Sequence, residues 1–282
     1  PIATVQKIDH VFFSHLHMDH IAGFDSFFRS NYNRNTKPNH IWGPPQTARI
    51  IQHRFQGFMW NLHKSMSCPW IVSDIYPHEY KSYRYELQEA FSISHDIQTC
   101  QYQDTLFETD NYEISVFTLN HRTPSLAYLI REKPSLNIDI QKLKALGLTG
   151  GPWLKEFKEL KEGYVVSESS GTGYTFNELR NSLLTETPGD SIAYLTDFLA
   201  DKQTIKDVAD FLSNCQTIVS EAHYRNSDIE LARRNYHSTT GLTASIALKA
   251  NADKLVLFHI SSRYDLKQYR EILNEAKEIF PS

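Results

Sequence analysis

The chain has 282 residues, 40% of them hydrophobic and 22% charged, with a formal net charge of −4. That is the composition of an ordinary globular protein with one large domain or two small ones. The charge gives no global attraction for nucleic acid, so a nucleic-acid partner would need a local basic surface. No apolar stretch approaches the ~20 residues that span a bilayer, and no secretory signal is visible, so no membrane partner is expected. The first residue is Pro1 rather than Met, and the native start is expected to lie upstream. Cys68, Cys100 and Cys215 are odd in number, scattered and outside any C-x-x-C pair. They read as thiols in a reducing compartment, which places the protein in the cytoplasm.

Residues 8–14 predict a buried strand and residues 20–30 a helix. Between them lies His15-Leu16-His17-Met18-Asp19-His20. Three imidazoles and a carboxylate thus crowd into six positions where a strand becomes a helix. Neutral imidazole and carboxylate suit zinc and similar divalent ions. His15 and His17, two apart on an extended segment, point the same way. Asp19 and His20 turn with the chain and can face a second metal, so this segment supplies half of a two-metal site.

Ile41-Trp42-Gly43-Pro44-Pro45 predicts a short strand and a turn, with a helix from about residue 46. Residues 54–76 carry Phe55, Phe58, Trp60, Trp70 and Tyr76 and predict a helical packing element, with a lid or substrate wall as the other reading. Strands are predicted at 91–94, 105–108, 112–119 and 126–130. Residues 131–163 then hold seven Lys/Arg and five Asp/Glu around Gly150-Gly151-Pro152. This segment reads as an exposed excursion from the core. Strands return at 164–167 and 191–196. A helix at 203–213, a strand at 216–220, a helix at 239–250, a strand at 254–259 and a helix at 265–279 complete the chain. The fold class is α/β (α+β), with the chemistry expected at strand ends.

A two-metal site needs further ligands, and three apolar runs end on one. His121 follows the run from Ile114 to Leu119, Asp197 the run from Ile192 to Thr196, and His259 the run from Leu255 to Phe258. His237 precedes Ser238 and Thr239, which are good helix caps.

These residues carry a family resemblance. The stretch from Lys7 to His20, Asn120-His121-Arg122-Thr123-Pro124-Ser125, Thr196-Asp197, Ser220-Glu221-Ala222-His223, His237-Ser238-Thr239 and Phe258-His259-Ile260-Ser261-Ser262-Arg263-Tyr264 recur through most of the chain. Together they resemble the metallo-β-lactamase fold superfamily and, within it, the ribonuclease Z type of tRNA 3′-end endonuclease. The resemblance implies a four-layer αββα sandwich in a single domain over 1–282, whose N-terminal strands would precede Pro1. It implies two divalent ions, zinc being expected. His15, His17 and His121 would hold one, Asp19, His20 and His259 the other, and Asp197 would bridge. His237 would approach the scissile phosphate, Glu221 could orient it, and Asp19 would double as proton acceptor. The expected reaction is cleavage at the 3′ side of precursor tRNA by a metal-bridged hydroxide, in a homodimer. Residues 131–163 would form a projecting arm that grips the tRNA, with Lys142, Lys144, Lys155, Lys158 and Lys161 available to phosphates.

The chain departs from the family pattern at Met18, where Gly is usual, and at Ser220 and His223, which flank Glu221-Ala222 in place of His and Thr. About one hundred residues separate His20 from His121, so an aromatic-rich segment of about 50–100 reads as inserted. The alternative function is hydrolysis of a small phosphodiester, sulfate ester or other ester, with those aromatics forming a pocket. A non-catalytic metal-binding or RNA-binding relative is a third reading, against which the full ligand set argues.

Overall fold

Alternation of apolar residues organises two compact units in the computed structural model, which describes residues 2–61, 66–159, 165–167 and 173–281. The first unit comprises 1–108, 113–130 and 191–282, and the second 109–112 and 131–190.

In the first unit, α1 (Ile2–Val5) precedes β1 (His10–Phe12), α2 (Met18–Ile21) and α3 (Phe24–Asn31). β2 (Asn39–Gly43) pairs in parallel with β1, and α4 (Thr47–Gln56) leads to β3 (Pro69–Ile75), parallel to β2. β4 (Glu79–Glu86) and β5 (His95–Gln101) add antiparallel, giving the order β1-β2-β3-β4-β5. The second sheet begins with β6 (Phe107–Glu108), β7 (Tyr112–Asn120) and β8 (Pro124–Glu132).

The chain then forms β9 (Ser135–Ile138), α5 (Ile140–Ala145), α6 (Trp153–Glu159), β10 (Val165–Ser167), β11 (Gly173–Thr175), α7 (Phe176–Leu183) and β12 (Leu184–Thr187) of the second unit. It re-enters the first unit as β13 (Ser191–Leu195), α8 (Lys202–Phe211), β14 (Thr217–Glu221), α9 (Ile229–Asn235), α10 (Thr240–Lys249), β15 (Lys254–Phe258) and α11 (Leu266–Ile279). The second sheet has the order β15-β14-β13-β8-β7-β6.

Side-chain alternation assigns each sheet two faces. On one face of the first sheet, Ile41, Trp70 and Val72 pack against Phe24 and Phe28 of α3 and Ile51 and Phe55 of α4. α4 presents Ala48, Ile51 and Phe55 along one stripe and stops at Gly57. On the second sheet, Leu129, Ala193, Leu195 and Ile218 pack against Val208 of α8, Ala244 and Ala247 of α10 and Ala276 of α11. The remaining faces of the two sheets meet through Phe12 and Tyr128, 5.3 Å apart between ring centroids, and Trp42 and Phe107, 5.8 Å apart. The layers therefore run helix, sheet, sheet, helix, as the fold class predicts. Each large apolar side chain fully buried this way contributes about 1.5–3 kcal/mol.

The segment 54–76 does not form the expected helical packing element. α4 ends at Gln56, and residues 69–75 are a strand whose Trp70 and Val72 alternate into the helix-facing core. Phe58 and Trp60 instead line, with Phe28 and Tyr32 of α3, an apolar cavity of about 370 Å³. The strand expected at 91–94 is also absent. Ala90 and Phe91 adopt left-handed backbone, φ 52° and 56°, and turn the chain with Phe91 buried.

In the second unit β9 pairs with β12, and β10 with β11, all antiparallel. α5, α6 and α7 bury Leu143, Phe157, Phe176, Leu179 and Leu183 in a small core of their own. The strand expected at 164–167 thus pairs with β11 rather than returning to the main sheets, and residue 164 lies outside the described residues. Lys161 also lies outside them.

Candidate metal centre

The loop after β1 is fixed between the two sheets. The Phe13 amide donates to the Trp42 carbonyl at 2.7 Å, the Tyr128 hydroxyl to the Phe13 carbonyl at 2.8 Å, and the Leu126 amide to the Ser14 carbonyl at 2.8 Å. His15 is therefore held rigidly and fully buried. His17 occupies the N-terminal boundary of the short helix α2 in extended backbone, without a side-chain capping bond, and Asp19 and His20 lie in its single turn. His121 immediately follows β7, Asp197 lies just beyond β13, and His259 immediately follows β15. All the ligand candidates sit at strand ends or on the turn that follows one, where α/β folds place binding sites.

The seven candidates lie together. Asp197 is the hub: its Oδ2 is 3.7 Å from His15 Nε2, 3.3 Å from His20 Nε2 and 3.6 Å from His121 Nε2, and its Oδ1 is 3.2 Å from His259 Nδ1. Asp19 Oδ2 is 3.5 Å from His20 Nε2. The ligand atoms of His15, His17 and His121 form one group within 4.8 Å, and those of Asp19, His20 and His259 another. Asp197 groups with His15 and His20 on one side and with His121 on the other.

The backbone is strained here. Arg122, Asp197, Tyr236 and His259 all adopt positive φ, between 49° and 59°. Non-glycine residues in this region cost of order 1 kcal/mol or more each, and such strain persists where surrounding contacts over-determine it. Asp197 and His259 bring their side chains and Tyr236 its carbonyl into the centre, while Arg122 turns the chain just after His121.

Electrostatics and hydrogen bonding test whether the donors suit a metal. Burial, with neighbouring imidazoles adding to it, pushes His15 down to about 3, so its ring is neutral. His15 Nε2 is buried and has no hydrogen-bond partner. A buried lone pair without a partner is costly, and a cation supplies what it lacks. His121 is likewise lowered, chiefly by burial. Its Nδ1 lies 2.7 Å from the Tyr236 carbonyl, which can only accept, so Nδ1 carries the proton and Nε2 keeps the lone pair. Asp197 is held well below the usual carboxylate range. Burial opposes this, but His20, the Thr196 hydroxyl at 2.6 Å and His259 outweigh it. His259 is raised, because Glu221 and Asp197 more than offset its burial. Neutral imidazoles at His15 and His121 beside an ionised carboxylate are donors that suit a divalent metal site.

Beside this cluster stands a second array. Glu221, fully buried, accepts from the Phe198 amide at 2.6 Å and the Ser238 amide at 3.3 Å through Oε1. Its Oε2 receives His237 Nδ1 at 2.8 Å. The Thr243 hydroxyl donates to the Glu221 carbonyl at 2.7 Å, tying α10 to the end of β14. His237 stacks on His223, with centroids 4.1 Å apart and planes at 13°. His223 Nδ1 donates to the His259 carbonyl at 2.9 Å, and burial pushes His223 down to about 4. Thr196, Phe198 and Tyr236 also serve the centre, two of them through backbone groups that side-chain patterns do not advertise.

Comparison with known proteins gives the family and the fold. The model of the beta-lactamase superfamily domain matches residues 1–134. The metallo-beta-lactamase fold protein YhfI from Bacillus subtilis aligns with a TM-score of 0.54 at 15% identity, covering 98% of this chain and 73% of that one. The short form of human tRNase Z aligns with a TM-score of 0.51 at 17% identity, covering 92% and 75%. In sequence, ribonuclease Z of Deinococcus radiodurans is 43% identical over 282 residues, all of this chain and 84% of that protein. A strand-end centre of imidazoles around one carboxylate, on an αββα frame and with identity over the whole length, places this chain in the ribonuclease Z family of metallo-β-lactamase-fold hydrolases.

Proposed function

We propose that this chain is an endoribonuclease that cuts precursor tRNA on its 3′ side with the help of two zinc ions. The observation that carries the reading is Asp197, one carboxylate placed among His15, His20, His121 and His259, in a chain 43% identical to a ribonuclease Z. His15, His17 and His121 would hold one ion, Asp19, His20 and His259 the other, with Asp197 between them. When bound, such a pair supplies Lewis-acid charge to phosphate oxygens and a nucleophile competent at neutral pH.

The chain's own residues do the rest. Glu221 fixes the His237 ring through Nδ1, leaving Nε2 as the nitrogen for the scissile phosphate or the leaving oxygen. His223 stacks beneath that ring and limits its rotation. Asp19, whose side chain is 73% exposed, can accept a proton and pass it to solvent. In the second unit, Lys142, Lys144, Lys155 and Lys158 are exposed and provide the basic surface an RNA backbone needs. A homodimer acting in the cytoplasm fits a tRNA substrate and three cysteines that stand as thiols.

The test is competition between a precursor tRNA and a small chromogenic phosphodiester. Cleavage of the tRNA at its 3′ side is expected. Intact tRNA beside a hydrolysed small ester would make this a small-ester hydrolase of the same fold. Replacing the four exposed lysines with alanine should raise KM for tRNA roughly tenfold and flatten its salt dependence, with small-ester turnover unchanged. Equal loss on both substrates would remove the second unit from substrate binding.

A further inference from the structure

Sequence places Arg122 one residue after His121 and Tyr236 one residue before His237. The fold brings the two together. The Arg122 guanidinium lies over the Tyr236 ring, 4.7 Å from its centroid. The Arg122 Nη2 donates to the Arg234 carbonyl at 2.6 Å. That carbonyl belongs to the last turn of α9, where carbonyls lack intrahelical partners. Tyr236 terminates the same helix in left-handed backbone, φ 59°, a position that glycine usually fills. Its carbonyl is the acceptor for His121 Nδ1 at 2.7 Å. Arg122 has left-handed backbone too, φ 59°, with its amide held by the Asn120 side chain at 3.0 Å.

We infer that Arg122 and Tyr236 form a clamp that positions His121 and His237 together. Arg122 grips the end of α9 from the His121 loop. The gripped Tyr236 turn presents its carbonyl to His121, which fixes the tautomer with Nε2 directed toward Asp197. The same turn sends the next residue, His237, against the His121 ring at 4.8 Å between centroids. Arg122 is exposed and touches neither ring directly, so it is a positioning residue that acts through Tyr236. Contacts that orient a ligand histidine in this way typically change metal affinity 10–100-fold. The inference rests on the metal-centre reading proposed above and adds the device that couples it to His237.

The experiment measures zinc affinity by competition with a chromophoric chelator, alongside kcat and KM. Arg122→Ala and Tyr236→Ala should each weaken zinc binding about 10–100-fold and lower kcat. Tyr236→Phe keeps the ring and the carbonyl and should lose far less zinc affinity than Tyr236→Ala, while Arg122→Lys should fall between the parent and Arg122→Ala. In zinc-stripped protein, the ¹⁵N shifts of His121 should report the Nδ1–H tautomer in the parent and a tautomer mixture in Arg122→Ala. Thermal melts of the stripped variants separate weakened affinity from lost folding, and Arg122→Gln replaces any variant that does not fold. Unchanged zinc affinity and tautomer in Arg122→Ala, with KM for RNA raised, would overturn the clamp and make Arg122 a phosphate contact. Parent protein that binds no zinc would instead overturn the centre itself.

Discussion

Two histidine groups in this molecule each hold an imidazole that burial drives toward its neutral form, and they differ in chemistry. At the strand ends, His15 is driven down to about 3 by burial and its neighbouring imidazoles. Between the sheets, His10 and His40 sit opposite each other in the β1–β2 register and stack at 4.7 Å. There His40 is driven down to about 4, again chiefly by burial. In the second group Trp42 Nε1 donates to His10 Nδ1 at 3.1 Å, and Phe107 covers the His10 ring at 4.5 Å. The nearest carboxylate, Asp9, is already committed to Arg34 and Lys37. In the first group a buried lone pair, His15 Nε2, lacks a partner 3.7 Å from Asp197. A buried imidazole alone does not mark a metal centre; an unpartnered imidazole lone pair beside a carboxylate that faces four imidazoles does.

The largest test of that contrast removes the carboxylate. Asp197→Ala takes away the one group facing His15, His20, His121 and His259. Activity should fall by about 10³-fold or more, and metal analysis should show at least one ion lost. His40→Gln should keep the parent's metal content and near-normal activity. Two ions retained in Asp197→Ala would show that the carboxylate is not what separates the two groups.

A smaller effect is expected at Glu221. Glu221→Gln keeps an oxygen for the Phe198 and Ser238 amides but turns an amino group toward His237 Nδ1. His237 would then accept at Nδ1 and lose the carboxylate that fixes its ring. A fall in kcat of about 10²-fold is expected, with KM and metal content preserved. An unchanged kcat would reduce Glu221 to an anchor for the backbone of residues 198 and 238.

The contrast also explains what could be read from the chain. His15 to His20 were legible as candidates because four donors fall within six consecutive residues, and His121, Asp197 and His259 because each ends an apolar strand. The core strands β7, β8, β13, β14 and β15 were legible for the same reason. β4 and β5 were missed because Glu79–Glu86 mixes tyrosines with charged and polar groups and His95–Gln101 is mostly polar, neither holding an apolar run. Phe91 and Ile93 suggested a strand where positive φ makes a turn. The second unit extends to residue 190 rather than 163 because Leu179 and Leu183 of α7 complete a core begun by Leu143 and Phe157. The Tyr236 carbonyl, like every backbone donor and acceptor in the centre, has no residue-type signature. His223 was visible as a departure from the family pattern, but its stacking on His237 required the fold.

The smallest effect lies in the inter-sheet pair and has a definite sign. His40 titrates near 4 in the folded protein and near 6.5 in the unfolded chain. Between those values the unfolded chain binds more protons, so stability rises with pH. The contribution is fully present above about pH 6.5 and is lost as pH falls toward 4. At pH 5.5 the loss amounts to about 1 kcal/mol. Urea denaturation between pH 7.5 and 4.5, compared between the parent protein and His40→Gln in the same buffer and metal, should show a shallower decline in the variant. Because His40 touches neither Asp197 nor Glu221, metal content must stay constant across the pair. A variant whose pH slope matches the parent's would mean that the stacked His10 or the strand-end cluster carries the titration, and that burial between the sheets leaves His40 accessible to protons in the folded state.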